Sequence, residues 1–157
     1  MKDMNPDDII GEFSEHTLTY YDGTTRKVLV TDVETEFPEG CLIVSRTDVN
    51  GIITHVNESF VIMSGFTEEE LIGQPHCILR HPDMPPAAFA DLWDTLKRGE
   101  KWYGYVKNLR KDGGYYWVYA TAIPNVRRGE VVGYTSVRRQ PSKKKIAECE
   151  KLYPTLF

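Results

Sequence analysis

RHPDMPPAAFADLWDTLKRGEKWYGYVKN, residues 80–108, changes its hydrophobic period part-way along, and that change decides the fold. Ala88, Phe89, Leu92, Trp93 and Leu96 recur at helical spacing, with Pro85 and Pro86 near the start and Gly99 at the end. Those residue types suit the two ends of a helix, so a helix is predicted there. From Trp102 onward the pattern is that of a strand. Two further strands follow, GYYWVYATAIP after the turn Lys111-Asp112-Gly113-Gly114 and EVVGYTSVRR after Arg128-Gly129.

Working back from the same stretch, CLIVSRTD and GIITHV flank Val49-Asn50-Gly51. Asn-Gly between apolar runs signals a hairpin, because both residues tolerate the positive φ of a tight turn. Asn57 is placed to cap a short helix through NESFVIMSGF, and Thr67 with Glu70 spells a capping box. The predicted order is β-β, short helices, one longer helix, then β-β-β. This is an α+β fold: a five-stranded antiparallel sheet with short helices on one face, enclosing a ligand cavity between the layers. Residues 41–139 form this domain. Residues 1–40 read as a separate N-terminal extension, acidic and loosely held at its start, with a hairpin around Asp22-Gly23. Residues 140–157 read as an exit linker and the start of an output helix at Ser142, with Ile146 and Leu152 in apolar positions.

Composition narrows the function classes. With 41% hydrophobic and 27% charged residues, the 157-residue chain has the profile of a folded, soluble domain. A net charge of −4 supplies no broad basic face for nucleic acid. The basic run from Arg138-Arg139 to Lys143-Lys144-Lys145 is expected to be a solvated linker. Cys41, Cys77 and Cys149 are odd in number and form no CxxC, which suits a reducing compartment. No apolar run approaches the roughly 20 residues that span a bilayer, so a cytoplasmic segment without membrane contact is expected. His76, Cys77 and His81 match no common zinc spacing, and Cys77 with His81 lacks any oxyanion site, so neither a metal centre nor an enzyme is expected. Cys77, Ile78 and Leu79 are expected to pack inward while Arg80 pairs with Asp83.

DVNGIITHVNESF, GFTEEELIGQP and the W-x5-N-L-R-K-D-G-G-Y-Y-W-V run from Trp102 resemble the general PAS pattern, over about residues 41–139. The quoted stretch is more specific. It is similar to the N-terminal PAS domain of bacterial aerotaxis receptors, redox-reporting chemoreceptors that hold FAD non-covalently. The resemblance implies an FAD-binding redox sensor, with the cofactor carrying the electron, and it implies His76, Arg80, His81, Asp83, Trp102 and Asn108 around that cofactor. On that premise, Asn108 offers a donor and an acceptor to a pyrimidine edge, and Asn57 either does the same or only caps its helix. Trp102 supplies a stacking face or a piece of core, and Arg80 a fork for diphosphate oxygens. Near cytoplasmic pH His81 can be neutral or charged. Asp83 caps the following helix or holds Arg80 and His81. Trp93 and Trp117 are assigned to structure.

Light-sensing flavin PAS domains carry a reactive cysteine in G-x-N-C-R-F-L-Q. Aligned on Gly73, that position is His76, and Cys77 lies about 100° further round the helix, so covalent photochemistry is not expected. FMN in place of FAD stays open. So do a haem-binding PAS oxygen sensor, with His76 or His81 as axial ligand, and a cofactor-free PAS module for dimerisation or protein binding. The partners implied are a downstream HAMP or methyl-accepting signalling region, in the same or a longer chain at the cytoplasmic face of the inner membrane, and a second copy of the domain.

Overall fold

The computed structural model describes residues 1–157. β1 (Ser14–Thr19) and β2 (Thr25–Val30) make a separate two-stranded sheet. β3 (Ile43–Thr47) and β4 (Ile53–Val56) form the second hairpin, and helices α1 (Glu58–Ser64), α2 (Glu68–Leu71) and α3 (Pro86–Lys97) follow, with a 3₁₀ turn at His76–Leu79. β5 (Trp102–Leu109), β6 (Tyr115–Arg127) and β7 (Glu130–Arg139) complete a five-stranded antiparallel sheet in the order β4-β3-β7-β6-β5. This is the architecture expected from sequence, and β7 is its central strand.

Local chemistry explains most of the boundaries. In the β3–β4 turn Gly51 sits at φ 80°, and the Asp48 carboxylate accepts the amides of Asn50 and Ile52 at 2.8 and 3.0 Å. Thr67 and Glu70 close the capping box reciprocally. Pro86 opens α3 at a position where its missing N–H would have no partner anyway.

Register divides the sheet into two faces. Asn108 lies across from Tyr116, Val106 from Val118, Gly104 from Ala120 and Trp102 from Ala122. On β7, Arg138 lies beside Ala120 and Ile43, and Ser136 beside Ala122 and Ser45. Alternation puts all of these on the inner face, under the helices. Phe60, Met63, Leu71, Leu79 and Leu96 pack down on it, against Ile43, Ile53, Tyr116 and Val118, in one apolar cluster. The alternate residues, Tyr105, Lys107, Trp117 and Tyr119, face outward.

α4 (Lys143–Leu152), capped by Ser142, runs across this outer face. The Tyr153 hydroxyl donates to the Tyr105 carbonyl at 2.6 Å, and its ring lies 6.1 Å from that of Trp117. Ile146 is half-buried against this surface, but Leu152 is exposed, because the helix meets the sheet on its Ile146–Cys149 side. Open clefts of about 360 Å³ flank α4, one bordered by Phe37, Trp117 and Ile146, the other by Lys107, Trp117 and Tyr153. Both are on the outer face.

The opening residues are held more firmly than their composition suggested. Met4, Val28, Leu29 and Leu109 form a second small core, and the Met4 amide donates to the Lys27 carbonyl. Residues 31–35 pair with the start of β6: Tyr115 donates to Val33, and Thr35 donates to Tyr115. The apolar side of β2 needs cover, and the end of β5 supplies it.

Gly104 marks a close approach that can be tested. A Cβ built there would lie 2.3 Å from the Trp102 ring, and Trp102 is tethered by its indole N–H to Asp91 at 2.9 Å. Gly104→Ala is expected to displace the indole and lower stability by about 1–3 kcal/mol, as overpacking does. Urea unfolding followed by tryptophan fluorescence measures it. An unchanged midpoint would show that the ring moves aside freely.

Candidate functional site

The inner face carries a cation where the alternation of a central strand calls for an apolar residue. Arg138 is 2% exposed. Its Nη2 donates to Ser45 Oγ at 2.9 Å and to His76 Nε2, its guanidinium lies over the Phe60 ring at 5.1 Å, and its Nη1 has no partner. No carboxylate pairs with it. Burial lowers its pKa to about 10, which leaves it charged at neutral pH. The basic run was expected to be solvated. Its first member is instead at the centre of the domain, because β7 continues through it.

Two more polar groups complete this floor. Tyr116 is fully buried with an unpartnered hydroxyl, and burial pushes its pKa up to about 12. Asn108 is buried directly across the strand pair. Above them His76 presents its Nε2 to Arg138, and burial followed by the Arg138 charge lowers its pKa to about 3. The ring is therefore neutral, with its proton on Nδ1.

The loop after the 3₁₀ turn is tied to β5 by a backbone bridge between Arg80 and Asn108. His81, 1% exposed, follows at once. Its Nδ1 accepts the Asp83 amide at 3.0 Å, so the neutral ring carries its proton on Nε2, which is buried without a partner. Burial, then the nearby Lys107, lowers its pKa to about 4, against the pull of Asp83. Neither histidine has a free lone pair to give a haem iron: Arg138 occupies one and the Asp83 amide the other.

Three expectations change here. Asp83 is exposed and bonds Lys107 Nζ at 2.7 Å, so it neither pairs with Arg80 nor caps α3, whose N-cap is Pro85 without a side-chain bond. Lys107 reaches it from the outward side of β5, which the spacing of 80–83 does not reveal. Arg80 instead lays its guanidinium over Phe89 at 4.9 Å, and its Nε is buried and unpartnered. Asn57 is consumed by structure: its Oδ1 accepts the amides of Phe60 and Val44, both at 3.1 Å, and its Nδ2 donates to the Leu42 carbonyl. It caps α1 and fastens the start of β3, which commits its Oδ1 twice and leaves one Nδ2–H uncommitted. Trp102 is in the core with its N–H on Asp91. Ile78 and Leu79 are buried as expected, while Cys77 is only half-buried.

The structure thus brings His76 and Asn108 together with Arg138, Tyr116 and Ser45 on the inner face, whereas His81 packs against Tyr115 beside the outward-facing Lys107 and Arg80 lies over Phe89. Arg138 Nη1, His81 Nε2, Arg80 Nε and the Tyr116 hydroxyl are buried hydrogen-bond donors with nothing to donate to. Such groups are rare and destabilising unless a ligand satisfies them. On the inner face, Arg138 Nη1 and the Tyr116 hydroxyl suit a guest rich in acceptors and able to carry negative charge.

The profile of the PAS fold family matches residues 53–138. The chain is 51% identical over 127 residues, 81% of its length, to the aerotaxis receptor of Escherichia coli K12, of which it spans 25%. It is 34% identical over 95 residues to the biofilm dispersion protein BdlA of Pseudomonas aeruginosa, covering 57% of this chain and 22% of that one. The chain therefore spans about a quarter or less of these relatives. Among solved structures it is similar to the light–oxygen–voltage domain of the photoreceptor Aureochrome1, with a TM-score of 0.62 and 20% identity over 72% of this chain and 88% of that one.

Proposed function

Because the chain belongs to the PAS fold family, and its similarity to an aerotaxis receptor covers 81% of it, we propose that it is the FAD-binding, redox-sensing input domain of an aerotaxis chemoreceptor. The observation that carries this reading is the buried, acceptor-starved cluster around Arg138. A flavin ring has the matching chemistry: a flat apolar body, carbonyl acceptors along its pyrimidine edge, and a charge that changes with redox state. When bound, it supplies reversible uptake of electrons.

The residues of this chain hold and tune it. Asn108 offers both donor and acceptor to the pyrimidine edge. Arg138 places a fixed cation beside the site, and the Tyr116 hydroxyl donates toward it. His76 keeps Arg138 in place from above, and Trp102 walls the far end of β5. Arg80, whose guanidinium lies over Phe89, would meet the phosphates with its fork. No substrate is turned over in this scheme. No helix is long and apolar enough to cross a membrane. A downstream signalling region of the receptor, reached through the exit segment after β7, would read the change at the cytoplasmic face.

The purified protein is expected to be yellow, with a two-banded spectrum that bleaches on reduction, and to release FAD rather than FMN on boiling. A colourless protein that takes up neither flavin overturns the proposal. A Soret band would replace it with the haem reading.

A further inference from the structure

A second buried polar cluster lies where the N-terminal hairpin meets the sensor domain. Arg26, on β2, is 4% exposed. Its Nε donates to the Lys2 carbonyl at 2.7 Å and its Nη1 to the Ile78 carbonyl at 3.0 Å, which engages two of its five N–H bonds. Tyr20, just after β1, is also 4% exposed; Arg26 acts on its hydroxyl, whose own proton has no acceptor. The Ile78 carbonyl belongs to the 3₁₀ turn that contains Cys77 and leads into Arg80, so Arg26 reaches this turn directly. Neither arginine has a carboxylate within ion-pair distance. Of the acids of this hairpin, Asp22 spends its carboxylate on the Thr24 amide and hydroxyl, and Glu15 pairs with Lys27.

A structural staple explains one of these arginines. The two carbonyl bonds of Arg26 fasten β2 to the 3₁₀ turn, and a staple needs no more. It does not explain a second guanidinium with a buried, unpartnered Nε, nor a buried tyrosine hydroxyl whose proton has no acceptor. Two uncompensated cations and a free hydroxyl are the donor set of an anion site, and the arginine fork fits phosphate oxygens. Its position is specific as well. Arg80 is bridged through its backbone to Asn108, so one residue links the inner face of the sheet to this cluster.

We propose that Arg26 and Tyr20 join Arg80 in a phosphate-binding site that takes the diphosphate of the cofactor, making the N-terminal hairpin part of the cofactor's binding site. This rests on the flavin reading above. It assigns a role to residues outside the stretch that the PAS fold profile matches, and it gives a reason for the chain to prefer FAD.

The test is equilibrium binding of FAD, FMN and riboflavin to the apo chain, read by flavin fluorescence, for wild type, Arg26→Gln, Arg26→Lys and Tyr20→Phe. Arg26→Gln is expected to weaken FAD about tenfold or more and FMN by less, and to leave riboflavin, which has no phosphate, within about twofold. Arg26→Lys should recover part of the loss, and Tyr20→Phe should weaken FAD severalfold without unfolding the chain. Equal losses for all three flavins would make Arg26 a structural staple only, and an unchanged FAD affinity would remove it from the site; either overturns the proposal. If wild type binds no flavin, the flavin reading has failed and the anion site is judged alone. Thermal protection of wild type by inorganic pyrophosphate, lost in Arg26→Gln, then upholds it, and no protection overturns it.

Discussion

At pH 5 the folded apo chain is expected to be about 4 kcal/mol less stable than at pH 7.5, because His76 and His81 are held neutral by burial. Their folded-state pKa values lie at about 3 and about 4, below the ordinary 6.5. Above pH 6.5 both are neutral in the folded and the unfolded chain, and neither contributes. Below it the unfolded chain takes up protons that the folded chain refuses, so stability falls as the pH drops from 6.5 toward 4 and then 3. At pH 5 each histidine accounts for about 2 kcal/mol. The carboxyls with lowered pKa, Asp22, Glu70 and Asp83, add to the loss mainly below that pH. Urea midpoints at pH 7.5, 6 and 5 measure the effect. His81→Asn, whose Oδ1 can still accept the Asp83 amide, should remove about half of it. A midpoint that stays constant from pH 7.5 to 5 would show that both rings protonate freely in place.

Arg138→Met should act with opposite sign on the empty and the loaded protein. In the apo chain it replaces a buried, unpaired cation by an apolar side chain that still covers Phe60, while His76 and Ser45 lose a donor. Exchanges of this kind are commonly neutral or stabilising by about 1–2 kcal/mol. In the flavin-loaded protein the variant removes a fixed positive charge from a low-dielectric site that receives an electron. The midpoint potential should drop by roughly 60–120 mV for one electron, equivalent to about 1.4–2.8 kcal/mol, and FAD should bind at least about tenfold more weakly. Arg138→Lys keeps the charge but loses the fork, and it should recover most of the potential but only part of the affinity. A redox titration with unchanged potential in Arg138→Met would mean that this cation does not face the ring.

Features whose cause spans a few residues were legible before any coordinates. The Asn50-Gly51 turn, the Thr67–Glu70 capping box and the proline start of α3 are each enforced by neighbours within four positions, and all three appear where their chemistry put them. Asn108 was singled out by the resemblance to aerotaxis receptors and not by any local pattern. Asn57 shows the limit of such reasoning. Its cap could be read from sequence, but the bonds to Val44 and Leu42 that commit most of its amide come from a segment over ten residues away.

Arg138 shows the same limit from the other side. Tyr134, Ser136 and Arg138 alternate on one face of β7, so the pattern that would have moved Arg138 inward was present, but a run of basic residues follows it and masks it. What buries the arginine is the placing of β7 between β3 and β6, a pairing of strands about ninety positions apart in the case of Ser45 and Ser136. Asp83 meets Lys107, and Arg26 meets Ile78, for the same reason. The sequence by itself determined the elements, their caps and their amphipathic faces, because those follow from steric and hydrogen-bonding preferences within a turn or two. Only the tertiary structure decided which buried polar groups share a pocket, because a charge can be desolvated only when distant segments close over it.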